Sequence, residues 1–233
     1  MIGILIPAHN EEALLAHCLQ AALTASQHPG LKGEEVKVLL VLDSCSDHSA
    51  DIAACYDIHV LPINARNVGV ARGVGAQWLL DHGVRWISCT DADSRVAPDW
   101  LVAQLALQAD AVCGTVTVDD WGTAIDRSTQ ERYLAVYQAR EGHRHIHGSN
   151  LGICARAYRR AGGFAPLACH EDVHLVQQLE ACGASIAWSH RPRVMTSARL
   201  DCRAKGGFGD YLRSLQALAN HDPRQWHARS GTL

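Results

Sequence analysis

Two carboxylates stand one residue apart in "WISCTDADSRVAPDW", the stretch from Trp86 to Trp100: Asp91 and Asp93. The apolar run before them reads as a buried strand ending near Thr90. Asp is depleted in strands and favoured in loops, so both fall just beyond it. Like charges this close repel unless something positive lies beside them. A hard divalent cation with oxygen ligands would settle the pair; an Asx-turn in a surface loop is the plainer alternative. A second acidic pair, Glu171 and Asp172, opens "HEDVHLVQQLEACG", where Val173, Leu175, Val176, Leu179 and Cys182 recur at helical spacing. The helix dipole favours carboxylates at that end, and a carboxylate held there is also a rigid candidate for a general base, with His170 as an alternate. In "GHRHIHGSNLG" His143, His145 and His147 alternate. On a strand they would share one face, as metal ligands do, but the segment lacks a strand pattern.

These groups need elements to position them, and the chain alternates strand and helix. "IGILIP" is a short apolar strand; Asn10 then reads as an N-cap with Glu11 and Glu12 in the first turn. Leu14, Leu15, Cys18, Leu19, Ala22 and Leu23 make one helical face. "VKVLLVL" is a strand ending at Asp43, and Ser46 or Asp47 caps a helix running through Tyr56. "IHVLPI" is a third strand. "NVGVARGVGAQWLLDHG" is a helix ended by Gly83, whose Gly69 and Gly73 let one face approach another backbone closely. "RWISCT" is the fourth strand, "PDWLVAQLALQ" a helix with Pro98 in its first turn, and "AVCGTVTV" a further strand. Continuous apolar strands alternating with helices predict an α/β domain with a mostly parallel sheet covered on both faces. Ligands then bind beyond the carboxyl ends of the strands. "PAHNEE", "DSCSD" and "DADS" follow three strands and so describe one polar edge.

Composition narrows the classes. The chain has 233 residues, 48% hydrophobic and 19% charged, with a net charge of -3. There is no basic excess to suggest nucleic acid. The first residues lack the basic start and cleavage site of a signal peptide, and no apolar run approaches the ~20 residues that span a bilayer. Nine cysteines, an odd number with no C-x-x-C pair, read as reduced thiols in a cytoplasmic protein rather than a disulfide framework.

"IPAHNEE", "VLDSCSDHS", "NVGVARGVG", "TDADS", "GSNLGICARAYRRAGGF" and "HEDVHLVQQLEACG" come in the order seen in glycosyltransferase family 2, and the chain resembles that family from about Ile2 to Ser189. The resemblance implies a single GT-A domain over 1–233: a nucleotide-binding half at 1–110, an acceptor and catalytic half at 111–195, and a lid loop with a C-terminal helix at 196–233. It implies a nucleotide-diphosphate sugar donor, UDP-linked by family default, Mg²⁺ or Mn²⁺, and transfer with inversion. Pro7, Ala8, Asn10, Glu11, Asp43, Arg72, Asp91, Ala92 and Asp93 would hold the donor, with Asp91 and Asp93 on the metal. Read alone, Asn10 is equally a cap, and the plainer alternative for Asp43 is a bond to Ser46 or a turn amide, with the binding role preferred. The family places the general base at Asp172 and lines its sugar or acceptor pocket with His147, Gly148, Ser149, Asn150 and Glu171. Where many members carry a third metal ligand, a His, this chain has Thr196 and Ser197. Arg199, Arg203 and Lys205 on a glycine-rich loop suit a lid over a diphosphate, or a solvated basic loop. A nucleotidyltransferase and a non-catalytic nucleotide-sugar-binding module are the competing readings. The acceptor, whether glycan, lipid or small molecule, is not named by these residues, and peripheral contact at the inner membrane face stays open.

Overall fold

The computed structural model of the chain describes residues 1–118, 120–200 and 208–219. Those within Met1–Asp119 and Ala139–Ser197 form one compact unit, and those within Asp120–Gln138 and Ala198–Leu233 form a second. Of the part expected to serve as lid and C-terminal helix, the described residues 198–200 and 208–219 belong to the second unit.

The first unit is built on one eight-stranded sheet. Its strands are β1 (Ile2–Ala8), β2 (Val36–Asp43), β3 (His59–Ile63), β4 (Trp86–Cys89), β5 (Ser94–Val96), β6 (Ala111–Thr117), β7 (Leu151–Cys154) and β8 (Ile186–Thr196), in the order β3-β2-β1-β4-β7-β6-β8-β5. The first four strands are mutually parallel, and β6 is parallel to β8. β7 runs against β4 and β6, and β5 against β8. Leu5, Leu39 and Val41 belong to a buried core shared with α3 (Val68–Asp81) and α7 (Glu171–Ala181). Their neighbours Ile4, Ile6 and Leu40 are equally buried and, by strand alternation, face the other way. Burial on both faces is why these strands read as unbroken apolar runs.

Two helix starts differ from expectation. α1 (Leu15–Ser26) begins with Leu14 at its cap position and no side-chain cap bond. Asn10 lies in the left-handed region instead (φ 55), and its Oδ1 accepts from the Ser46 amide at 2.8 Å. The reason is competition from the loop after β2. Glu11 N donates to Ser49 Oγ, Glu12 N to Asp47 Oδ2, and His48 N to Glu12 Oε2, each at 2.9 Å. Those bonds hold residues 10–12 out of the helix. α2 (Ser49–Ala53) is shorter than expected, and Asp47 Oδ1 accepts from the Ser49 amide.

α3 follows its sequence closely. Asn67 Oδ1 caps it by accepting from Val70 N at 3.0 Å, and Gly83 sits just beyond its end at φ +79. Gly69 meets another backbone: a Cβ there would lie 2.2 Å from Ala165 O, and its amide donates to Leu167 O. Gly73 is looser, since a Cβ there would lie 3.5 Å from Phe164 O. In the second unit α5 (Arg127–Val136) accompanies α8 (Phe208–Ala219), and buried Tyr133 packs against the rings of Trp121, Tyr137, Phe208 and Tyr211. Among the described residues no helix is long and apolar enough to cross a membrane.

Candidate active site

Parallel pairing brings the ends of β1, β2 and β4 to one edge. Asp91, Ala92 and Asp93 follow β4 there. Ala92 is buried and anchors the turn, while the Asp91 carbonyl accepts from Ser94 N at 3.0 Å and from Cys18 Sγ at 3.2 Å. The backbone is held from behind, and the Asp91 side chain stays 40% exposed. Ser94 Oγ donates to Asp93 Oδ1 (3.1 Å) and lies 2.9 Å from Thr196 Oγ1, because the β5–β8 pairing sets Ser94 opposite Thr196. Thr196, the position noted for a missing histidine, therefore stands one hydroxyl away from Asp93. Ser94 was legible only as the last letter of "DADS"; its role needed the cross-strand partner.

A buried cation ties the two acidic pairs together. Arg72, on the second turn of α3, is 1% exposed. Its Nη2 donates to Asp91 Oδ1 at 2.5 Å and its Nε to Glu171 Oε1 at 3.0 Å. Burial opposes its charge, but the carboxylates of Asp91 and Glu171 outweigh this and hold the guanidinium above its ordinary pKa. Burial pushes the Glu171 carboxyl up, with Arg72 opposing. Asp172, next along the first turn of α7, is half-buried, and its Oδ2 accepts from Gly148 N at 2.7 Å. Gly148 in turn lies against Arg72: a Cβ there would sit 2.6 Å from Nη2. His170 leads into this helix in the left-handed region (φ 59). Arg72 was expected on the donor; here its guanidinium holds carboxylates, and Glu171 is its buried partner rather than a wall of an open pocket.

The other expected residues divide. Asp43 is 4% exposed, and its Oδ1 accepts from Ala65 N and Arg66 N at 2.7 and 2.8 Å, its Oδ2 from Asn67 N at 2.8 Å. Burial opposes ionisation, but those three amides and the Ser44 hydroxyl hold its carboxyl below the ordinary value. Its turn-amide role is the one observed, and it fixes the entry to α3. Pro7 and Ala8 end β1 beside Val41 and Leu42 of β2. Glu11 is buried next to them.

Asn150, expected in the sugar or acceptor pocket, has a structural role. It is fully buried; its Nδ2 donates to Thr115 O (2.7 Å) and Pro192 O (2.9 Å), and its Oδ1 accepts from Trp100 Nε1 (2.9 Å). It locks β6, β8 and the helix α4 (Trp100–Ala106) together. Ser149 is buried beside it. His143, His145 and His147 do not lie on a strand, yet their rings stack in a row with centroids 5.5 and 6.2 Å apart. Burial, reinforced by His145 and His143, pushes the His147 imidazole far down, so it stays neutral. Arg199 is described but belongs to the second unit; Arg203 and Lys205 lie outside the described residues.

Among the described residues no group of three or more His, Cys, Asp or Glu is arranged to hold a metal, the histidine row included. The oxygen set is nevertheless of the right kind for a hard cation: the Asp91 and Asp93 carboxylates, with the Ser94 and Thr196 hydroxyls close behind Asp93.

Comparison with known proteins gives the family and the fold. The family model for glycosyl transferase family 2 matches residues 3–162. A curated relative, the undecaprenyl-phosphate 4-deoxy-4-formamido-L-arabinose transferase of Shewanella sediminis, is 32% identical over 178 residues, 73% of this chain. The chain spans about half the length of that relative, 51%. Among solved structures, S. aureus TarS 1–349 in complex with UDP-GlcNAc superposes with a TM-score of 0.66 at 15% identity, over 97% of this chain and 68% of that 1–349 chain. GalNAc-T7 with UDP, GalNAc and Mn²⁺ gives 0.64 at 16%, over 93% of this chain and 47% of its own. The chain belongs to glycosyl transferase family 2, and its fold is GT-A.

Proposed function

We propose that this domain transfers a sugar from a nucleotide-diphosphate donor, UDP-linked, to an acceptor hydroxyl with inversion at the anomeric carbon. The observation that carries the reading is the meeting of two acidic motifs, about 80 residues apart in sequence, at one strand edge through a single guanidinium. Asp91, 40% exposed, bonds that guanidinium directly, and Asp172 is the chain neighbour of its other partner, Glu171. TarS with UDP-GlcNAc and GalNAc-T7 with UDP and Mn²⁺ share the fold, which supports a nucleotide sugar and a divalent cation here.

In this mechanism Asp172 takes the proton from the acceptor hydroxyl as that oxygen bonds to the anomeric carbon. The bond from that carbon to the diphosphate breaks on the opposite face, which inverts the centre. Gly148 N, donating to Oδ2, and Val173 N, donating to Oδ1, orient the carboxylate, and a second lone pair on each oxygen is left for the proton. Mg²⁺ or Mn²⁺ held by Asp93 and Asp91 would supply Lewis-acid neutralisation of the leaving diphosphate. Pro7, Ala8 and Glu11 border the edge on the side proposed for the nucleoside.

The name of the Shewanella relative supports a second acceptor class, a lipid-linked phosphate, met by peripheral contact at the cytoplasmic membrane face. A phosphate oxygen is already ionised at neutral pH and needs no base. The deciding experiment is therefore a thermal-shift screen of UDP, GDP and other nucleoside diphosphates with and without Mn²⁺, followed by transfer assays with hydroxyl and polyprenyl-phosphate acceptors. Absence of any nucleotide effect would remove the donor assignment. Transfer to the phosphate that survives Asp172→Asn would select the second acceptor.

A further inference from the structure

Arg72 has one edge and two owners. On a guanidinium, Nε and Nη2 lie side by side and suit the two oxygens of a single carboxylate. Here that edge is divided: Nε bonds Glu171 and Nη2 bonds Asp91. The two carboxylates differ in access. Glu171 has a side chain 7% exposed and is the fixed member; Asp91, 40% exposed, is the one a ligand can reach. The third nitrogen, Nη1, is buried and has no hydrogen-bond partner among the described residues. Losing the Nη2 bond without replacement would leave a second buried donor unsatisfied, which is unfavourable. A lysine has a single ammonium and no such edge to divide.

From this geometry we infer that Arg72 is a positioning residue that couples donor loading to placement of the general base. When Asp91 turns toward a cation-bound diphosphate, Nη2 is released and completes a two-bond pair with Glu171. Glu171 is the first residue of α7 and the neighbour of Asp172. Gly148, whose amide holds Asp172, packs directly on the same guanidinium. A movement of the guanidinium toward Glu171 therefore reaches the base by both of its supports, through α7 and through Gly148. The base becomes fixed only after the donor is in place. No covalent step is added; the exchange is of hydrogen bonds alone.

The inference rests on the nucleotide-donor reading, and its test separates the two. The probes are UDP with Mn²⁺ and UDP alone, and the readouts are nucleotide affinity by calorimetry and hydrogen exchange over residues 146–173. In the wild-type protein UDP with Mn²⁺ should slow exchange at Gly148 and in the first turn of α7 by about tenfold, within the usual span of coupled sites. UDP alone, which leaves Asp91 on Arg72, should slow it little. Arg72→Lys should bind UDP and Mn²⁺ but lose most of the slowing. Because a lone change at a buried ion pair can unfold the chain, the double variant Arg72→Met/Glu171→Gln, which removes both charges, serves as the second test. It too should bind and show no transmitted slowing. Slowing that persists in either variant, that is equal without the cation, or that is absent from a wild-type protein which binds UDP, would overturn the coupling. A wild-type protein that binds neither UDP nor GDP would remove the donor reading itself and the coupling with it.

Discussion

At the residue scale, the chemistry turns on which carboxylates are free to react and which are held. Asp43, Glu171 and Asp172 look alike in a sequence, yet Asp43 is saturated by three backbone amides and Glu171 is buried on Arg72, whereas Asp172 accepts from Gly148 N and its own helix and remains half-exposed. Asp172→Asn preserves an oxygen for the Gly148 amide and removes the proton acceptor. Transfer to a hydroxyl should fall by about 10² to 10⁴, roughly 3 to 5 kcal/mol of barrier, while UDP affinity moves little; rate and affinity measured on one preparation check both. Gly148→Ala tests the packing behind the base. The new methyl would stand 2.6 Å from a guanidinium whose one edge is held by two carboxylates, so Arg72 cannot swing aside without straining those bonds. The variant should fold, bind UDP within a few-fold, and lose most of its transfer rate; a fully active enzyme would show that this contact does not support the base.

At the element scale, α3 is the hub, since it carries Arg72 and is itself fixed at both ends. Its start is held by Asp43 and Asn67, and its glycines allow the 164–167 segment to lie directly on it. Gly69→Ala places a methyl 2.2 Å from one carbonyl oxygen and 2.6 Å from another, both backbone atoms that no rotamer change can remove. Overpacking of this kind typically destabilises by about 1–3 kcal/mol, which a denaturant titration of the variant against wild type will read. Gly73→Ala, with 3.5 Å to spare, should be much milder. A second joint ties β6 to β8. Asp110 accepts from Ser185 N and Oγ and from Arg156, and these bonds hold its carboxyl down at about 2. A folded-state pKa below the unfolded one gives stability that is present above about pH 4 and lost as pH falls toward 2. Asp110→Asn should therefore be less stable than wild type at pH 6, and the gap should close near pH 2.

At the scale of the whole molecule, a ligand that binds only the folded state raises its stability by mass action. A nucleotide at 100 times its dissociation constant contributes about 2.7 kcal/mol, which for a chain of this length is a rise in Tm of roughly 5 to 10 °C. The rise should require Mn²⁺ or Mg²⁺ and should shrink in Asp93→Ala, measured by differential scanning fluorimetry. An undiminished rise in that variant would take the cation away from Asp93.

The sequence by itself determined the fold class and the address of the site. Apolar strands buried on both faces, β1, β2 and β4, are written as continuous runs, and their acidic ends must fall on one edge because parallel strands share a direction. The helix end at Gly83 and the close approach at Gly69 are local chemistry and were legible for the same reason, whereas the Asn67 cap emerged from the structure. Only the tertiary structure decided what depends on partners far away in the chain. Asn10 looked like a cap, but amides bonding across to Asp47 and Ser49 outcompete the helix. The antiparallel β5, three residues set in the polar stretch after β4, and β7, four residues beginning straight after the Gly148–Asn150 turn, are marked by their pairing with neighbouring strands rather than by an apolar run between loops. Asn150 was read for a sugar contact, and its three bonds to Thr115, Pro192 and Trp100 were visible only once those distant elements were in place. Arg72 looked like a donor ligand, and its ownership by two carboxylates from separate motifs is a fact of three-dimensional distance, which residue type and spacing do not encode.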